Sequence, residues 1–257
     1  MILDDPGVRQ VLFHPMQEHP DYDPRGVPTQ TRCDGATIGG YVHINPASDA
    51  LILFFHGNGE LAADYDSFGD FYRDLGISCW VVDYRGYGKS TGSPSYSTML
   101  RDAENLLDDA PRVAEQAGWQ YARLYVMGRS LGSASAIHLA DRRAEKLSGL
   151  ILDSPFADVV ALIRRLWGPA LDRVALPDFE DNLDKMRRCR LASLIIHGTH
   201  DNLIPITDAE ELHQACASRI NEFLRIDGAG HNNLFSKGFE AYRRAMRHFI
   251  DQTQAFT

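Results

Sequence analysis

The chain is poor in cysteine, with only Cys33, Cys79, Cys189 and Cys216 among 257 residues. They are widely scattered, with no CxxC pair and no zinc-type spacing to the ten histidines, so neither a redox pair nor a metal site is expected. Positive charge is also scarce. Lys and Arg total 26 against 35 Asp and Glu, a formal net charge of -9, which removes the electrostatic footprint for phosphate backbones; no nucleic-acid partner is expected. No run of 18 apolar residues occurs, and the start MILDDPGVRQVLF has neither a basic n-region nor a long apolar stretch. The expectation is a soluble, cytoplasmic protein without stable membrane insertion. Repeats and low-complexity tracts are lacking too.

What is present is a core-forming composition, 44% hydrophobic, at a length that α/β folds commonly use for one domain. Near-continuous apolar runs at 50–55, 78–84, 123–128, 149–153, 193–198 and 222–227 read as strands covered on both faces of a parallel sheet. Helix-period segments lie between them, including 97–116, closed by Gly118, and 207–218, where Thr207 and Glu210 suit a capping box. Before the first run, TQTRCDGATIGGYVHI places Asp34-Gly35 between two extended stretches, which predicts an antiparallel hairpin at a sheet edge. The proline-rich stretch 14–28 reads as a surface loop. The segment 154–190 is an insertion between two strands, with Val159, Leu162, Ile163 and Leu166 on one helical face, and is expected to form a small lid on a single domain, 1–257.

The stretch LILFFHGNGELAADY allows two readings. Gly57, Gly59 and Ala62 match the GxGxxG/A spacing of a dinucleotide-binding turn, with Asp83 as the ribose acid. They equally suit a glycine turn that offers backbone N–H groups to an oxyanion. GRSLG, Gly128 to Gly132, decides between them. It stands between a predicted strand and a predicted helix, the context in which a serine is held exposed on a tight turn. A hydroxyl needs a base and the base an orienting carboxylate. Asp201 follows one strand and His231 follows the last, giving the order Ser130, Asp201, His231, each just beyond a strand's carboxyl end. Asp153, which also ends a core strand, is the rival acid. The oxyanion donors are the N–H groups of Leu131 and Asn58, the latter a task that requires no particular side chain. The hydrolase reading employs every one of these residues, whereas a dinucleotide site leaves the serine, aspartate and histidine without a task.

The motifs HGNGE, DYRGYGKSTGSPS, GRSLGS, IIHGTHD and GAGHNN together resemble the α/β-hydrolase superfamily of serine hydrolases over nearly the whole chain. They are most similar to the branch of α/β-hydrolase-domain depalmitoylases and serine-aminopeptidase-like proteins. The resemblance implies an α/β-hydrolase fold, Ser130 as nucleophile, His231 as base then acid, Asp201 as its orienter, and no cofactor. The depalmitoylases are implied to carry a cysteine-rich amino-terminal anchor; this chain has no cysteine before Cys33, so no lipidated membrane role is expected. The expected activity is cleavage of a small-molecule carboxylic ester or thioester, with Phe156, Leu162, Leu166 and Trp167 as candidates for an apolar acyl pocket. A peptidase on the same residues, with Glu60 or Arg129 holding a peptide terminus, and a binding module that kept the fold without turnover are the alternatives.

Overall fold

A computed structural model describes residues 2–168 and 181–254. The apolar runs become six strands of one eight-stranded sheet: β3 (Ala50–Phe55), β4 (Ser78–Val82), β5 (Arg123–Arg129), β6 (Gly149–Asp153), β7 (Ser193–Gly198) and β8 (Asn221–Ile226). The hairpin adds β1 (Val27–Cys33) and β2 (Ala36–His43), paired antiparallel through a turn with positive φ at Asp34 and Gly35. Strand order is β1-β2-β4-β3-β5-β6-β7-β8; β2 runs antiparallel to β4, and all pairings from β4 onward are parallel.

Burial on both faces explains the unbroken hydrophobic runs. In β3, Leu51, Leu53 and Phe55 join the core on one face, while Ile52 and Phe54 join the core on the other. The outermost strand β8 departs from this expectation. Its residues are mostly half-buried, because an edge strand has a neighbour on one side only.

The connections are α1 (Pro6–Leu12), α2 (Gly69–Asp74), α3 (Tyr96–Gln116), α4 (Ser133–Arg142), α5 (Val159–Trp167), α6 (Asn182–Arg188), α7 (Ile206–Ala215) and α8 (Leu234–Gln254). Helix α3 begins at a Ser95 cap that accepts from the Thr98 N–H, and Gly118 with φ 69° follows its end. The capping box expected at Thr207 and Glu210 does not form. Pro205, in extended conformation, caps α7 instead, so the helix starts at Ile206 and Thr207 already lies inside its first turn. Helix α1 was not foreseen, although Asp5 at the cap, Pro6 in the first turn and the Val8/Leu12 pair spell it out.

Within the 154–190 insertion, α5 presents Val159, Leu162 and Ile163 to the core and leaves Leu166 exposed. Residues 169–180 of the expected lid and the side chain of Trp167 lie outside the described residues. No helix among the described residues is long and apolar enough to cross a membrane.

Candidate active site

Ser130 sits where β5 turns into α4, and the turn is built around it. Its φ is 51°, a left-handed conformation that a side chain rarely adopts and that surrounding structure must impose. The flanking glycines allow this. A Cβ on Gly132 would collide with the Phe55 carbonyl at the end of β3, and one on Gly128 would collide with the Gly132 carbonyl. Strand and helix therefore approach closely enough to fix the serine at the sheet's carboxyl edge.

His231 arrives from the loop after β8, and its Nε2 lies 3.0 Å from Ser130 Oγ. Its Nδ1 lies 2.7 Å from Asp201 Oδ2, in the loop after β7. The other oxygen of Asp201 accepts the N–H groups of Leu203 (2.9 Å) and Ile204 (2.8 Å), which locks the carboxylate in place. Burial pushes the Asp201 carboxyl up, but the His231 hydrogen bond and charge, the Ile204 N–H and His197 outweigh it and hold the group below its ordinary range. His197, at the end of β7, is fully buried, with Nε2 2.9 Å from the Ile204 carbonyl and 3.4 Å from Asp201. It braces the same loop.

Asp153, the rival acid, ends β6 and is occupied elsewhere. The hydroxyls of Ser154 (3.0 Å) and Tyr242 (3.2 Å) donate to it, and Arg129 Nε stands 4.0 Å away. Its burial raises the carboxyl above the usual range, the reverse of Asp201. Asp83 also has a structural task, accepting the Ala62 N–H at 2.9 Å beside the buried His56, at 3.3 Å. A carboxylate so enclosed is in no position to bind a ribose.

The glycine turn after β3 lies beside the serine. Asn58 and Leu131 border the same cleft as Ser130, of about 170 Å³, with Leu12, Leu162, Leu166 and Leu203 as its apolar wall. Leu162 and Leu166, two of the candidates for the acyl pocket, thus border the cleft beside Ser130. Phe156 does not: it is fully buried in the core beside α6, whose Asn182 side-chain amide donates to its carbonyl at 3.0 Å. Leu12 and Leu203 were missed, because neither belongs to a motif and only the fold brings them in.

The Asn58 side chain also proves to matter. Its Oδ1 accepts from Tyr87 Oη (2.8 Å) and from the His14 N–H (2.9 Å), tying the turn to the chain's amino-terminal stretch. Two further residues, named from sequence only as holders of a peptide terminus, take a different place. The Arg129 guanidinium pairs with Glu60, donates to the His231 carbonyl at 2.9 Å and reaches the Asn232 side chain at 3.4 Å. Glu60 in turn accepts the Gly57 N–H (2.7 Å) and the Tyr65 hydroxyl (2.6 Å). One ion pair therefore joins the glycine turn, the serine turn and the histidine loop.

The family described as serine aminopeptidase, S33, matches residues 46–179. The chain is 30% identical over 210 residues to the α/β-hydrolase domain-containing protein aho-3 of Caenorhabditis elegans, covering 80% of this chain and 59% of that protein. It is 30% identical over 218 residues to the α/β-hydrolase domain-containing protein 17B of Xenopus tropicalis, covering 82% and 70%. Among solved structures, the Pyrococcus furiosus esterase Pf2001 superposes with a TM-score of 0.75 at 17% identity, over 93% of this chain and 98% of that one. The chain spans little more than half of the worm relative, so the likeness concerns the hydrolase domain. With the fold, the strand-end placement of the site and these matches in agreement, the chain is a hydrolase that belongs to the serine aminopeptidase S33 family of the α/β-hydrolase superfamily.

Proposed function

We propose that the protein is a serine hydrolase that cleaves small carboxylic esters or thioesters through an acyl-enzyme. The observation that carries this reading is the unbroken hydrogen-bonded line from Asp201 through His231 to Ser130, with spacings of 2.7 and 3.0 Å. Ser130 Oγ attacks the substrate carbonyl carbon while its proton passes to His231 Nε2, and Asp201 stabilises the imidazolium that results. The developing oxyanion is met by the N–H groups of Leu131 and Asn58. Collapse breaks the bond to the leaving oxygen or sulfur, which takes the proton from His231 and departs as alcohol or thiol. Water then gives a proton to His231 and attacks the acyl carbon; collapse breaks the bond to Ser130 Oγ, which takes the proton back from His231, and the carboxylic acid leaves. Substrate and water balance both half-reactions. The leucine wall, to which α5 contributes Leu162 and Leu166, supplies the acyl pocket.

The family's description favours a peptidase as the second reading. A serine aminopeptidase needs a charge for its substrate's terminus, and Glu60 and Arg129, which border the serine cleft, are paired with each other. This supports an ester over a peptide. The test is labelling with a fluorophosphonate probe, followed by turnover of p-nitrophenyl esters, matching thioesters and amino-acid p-nitroanilides. Wild type should label and turn over the esters, and Ser130→Ala should lose labelling and at least roughly 10⁴-fold in turnover. Labelling that survives in Ser130→Ala sinks the mechanism; anilides preferred over esters favour the peptidase.

A further inference from the structure

A second cavity also borders His231. Its volume is about 230 Å³, and Phe54, Tyr65, Phe68, Met127, Phe235 and Tyr242 form its walls. The rings meet edge to face, with centroids 4.7 Å apart for Phe54 and Tyr65, 4.8 Å for Phe68 and Phe235, and 5.3 Å for Phe235 and Tyr242. Glu60, Arg129, His231 and Asn232 border both this cavity and the serine cleft, whereas Ser130, Leu131 and Asn58 border the cleft alone. That asymmetry separates the two arms of an ester. The carbonyl must sit against Ser130 and the two N–H donors, which puts the acyl arm in the cleft. The leaving oxygen takes its proton from His231, which puts the other arm on the side where the aromatic cavity begins.

We propose that this cavity receives the alcohol or thiol arm of the substrate, and that the arm is a compact, uncharged aromatic group. The inference rests on the serine-hydrolase reading above. Size supports the class: a cavity of about 150 Å³ admits benzene, so this one takes a substituted phenyl ring, while a long alkyl arm overfills it. Charge narrows it further. Glu60, Asp64 and Asp153 face the cavity against the Arg129 guanidinium, so an anionic arm meets carboxylates, of which the buried Asp153 is poorly screened by water. A cationic arm must give up its own hydration to enter, and Glu60 and Asp153 are already engaged by the Arg129 guanidinium, so its gain is small. A neutral ring meets aromatic edges and faces at no such cost.

The test compares kcat/KM for benzyl, hexyl, 4-carboxybenzyl and 4-(aminomethyl)benzyl acetates, which share one acyl arm. Benzyl acetate should exceed the hexyl ester by about tenfold and both charged esters by more. Phe68→Ala, at a half-buried wall position, should lower the benzyl-to-hexyl ratio at least about fivefold, and Phe235→Leu repeats the test should the first variant fold poorly. Leu162→Ala, in the cleft, should change acyl-chain preference and leave that ratio alone. Equal benzyl and hexyl rates, a preference for either charged ester, or a ratio unmoved in folded wall variants overturns the assignment. Fluorophosphonate labelling separates the two levels: a labelled Ser130 without aryl preference defeats the cavity assignment alone, and an unlabelled one defeats the underlying reading with it.

Discussion

The two buried aspartates near His231 pay differently for ionisation. Asp153 has two hydroxyl donors and a guanidinium 4.0 Å away, and its burial still raises the carboxyl above the usual range. Asp201 has two backbone N–H donors on one oxygen and His231 on the other, and these overcome its burial. Asp201→Asn should therefore lower kcat by about 10⁴-fold with the fold intact. Asp153→Asn should keep activity within about tenfold of wild type, and a larger loss would make Asp153 the acid that matters. The stability signs are opposite. A lowered native value means that Asp201 stabilises the fold above about pH 4, an advantage lost as pH falls through that native value. A raised one means that ionising Asp153 costs stability as pH rises past about 4. Melting temperatures of wild type and Asp201→Asn, measured from about pH 7 down to pH 2.5, should converge at the acid end. A gap that widens toward acid would contradict this account.

At the scale of the element, the glycine turn after β3 is held by side chains as well as shaped by its glycines. Asn58→Ala removes the acceptor for Tyr87 and His14, so it should cost about 1 to 2 kcal/mol of stability with modest loss of rate. Asn58→Pro removes the backbone donor too and should cost about 3 kcal/mol of transition-state stabilisation, roughly a hundredfold in kcat. Equal rate losses in the two variants would assign the effect to the side chain. The Arg129–Glu60 tie predicts a second result. Arg129→Met leaves Glu60 half enclosed and unpaired, a loss of about 2 kcal/mol once discounted for the pair's partial exposure. Adding Glu60→Leu should recover part of it, as thermal melts of the single and double variants would register. Sequence reasoning reached the glycine turn because its spacing is local. It missed these ties because hydrogen bonds spanning 44 and 102 residues leave no periodicity behind. The misplaced capping box at Thr207 has the opposite origin: a local pattern was present, and the cap formed two residues earlier, at Pro205.

Over the whole molecule, the strands were legible because burial on both faces writes a continuous apolar run, and Ser130, Asp201 and His231 because each follows such a run. The cavity walls were not. Phe156 and Leu166 look alike on a helical or loop pattern, yet one is sealed in the core and the other stands exposed over the cleft. The eight strands form one sheet with a core on each face, so unfolding should be a single cooperative event. Calorimetric and van't Hoff enthalpies should agree, and two separated transitions would divide the chain into independently stable parts. The order of the site along the chain has a consequence for synthesis. Ser130 leaves the ribosome 101 residues ahead of His231, an interval on the order of 5 to 20 seconds. On the serine-hydrolase proposal, the nascent chain carries its hydroxyl without a base throughout that interval, and without the orienting acid until Asp201 emerges 30 residues ahead of His231. On that proposal the hydroxyl stays inert until the last strand and the loop beyond it have emerged.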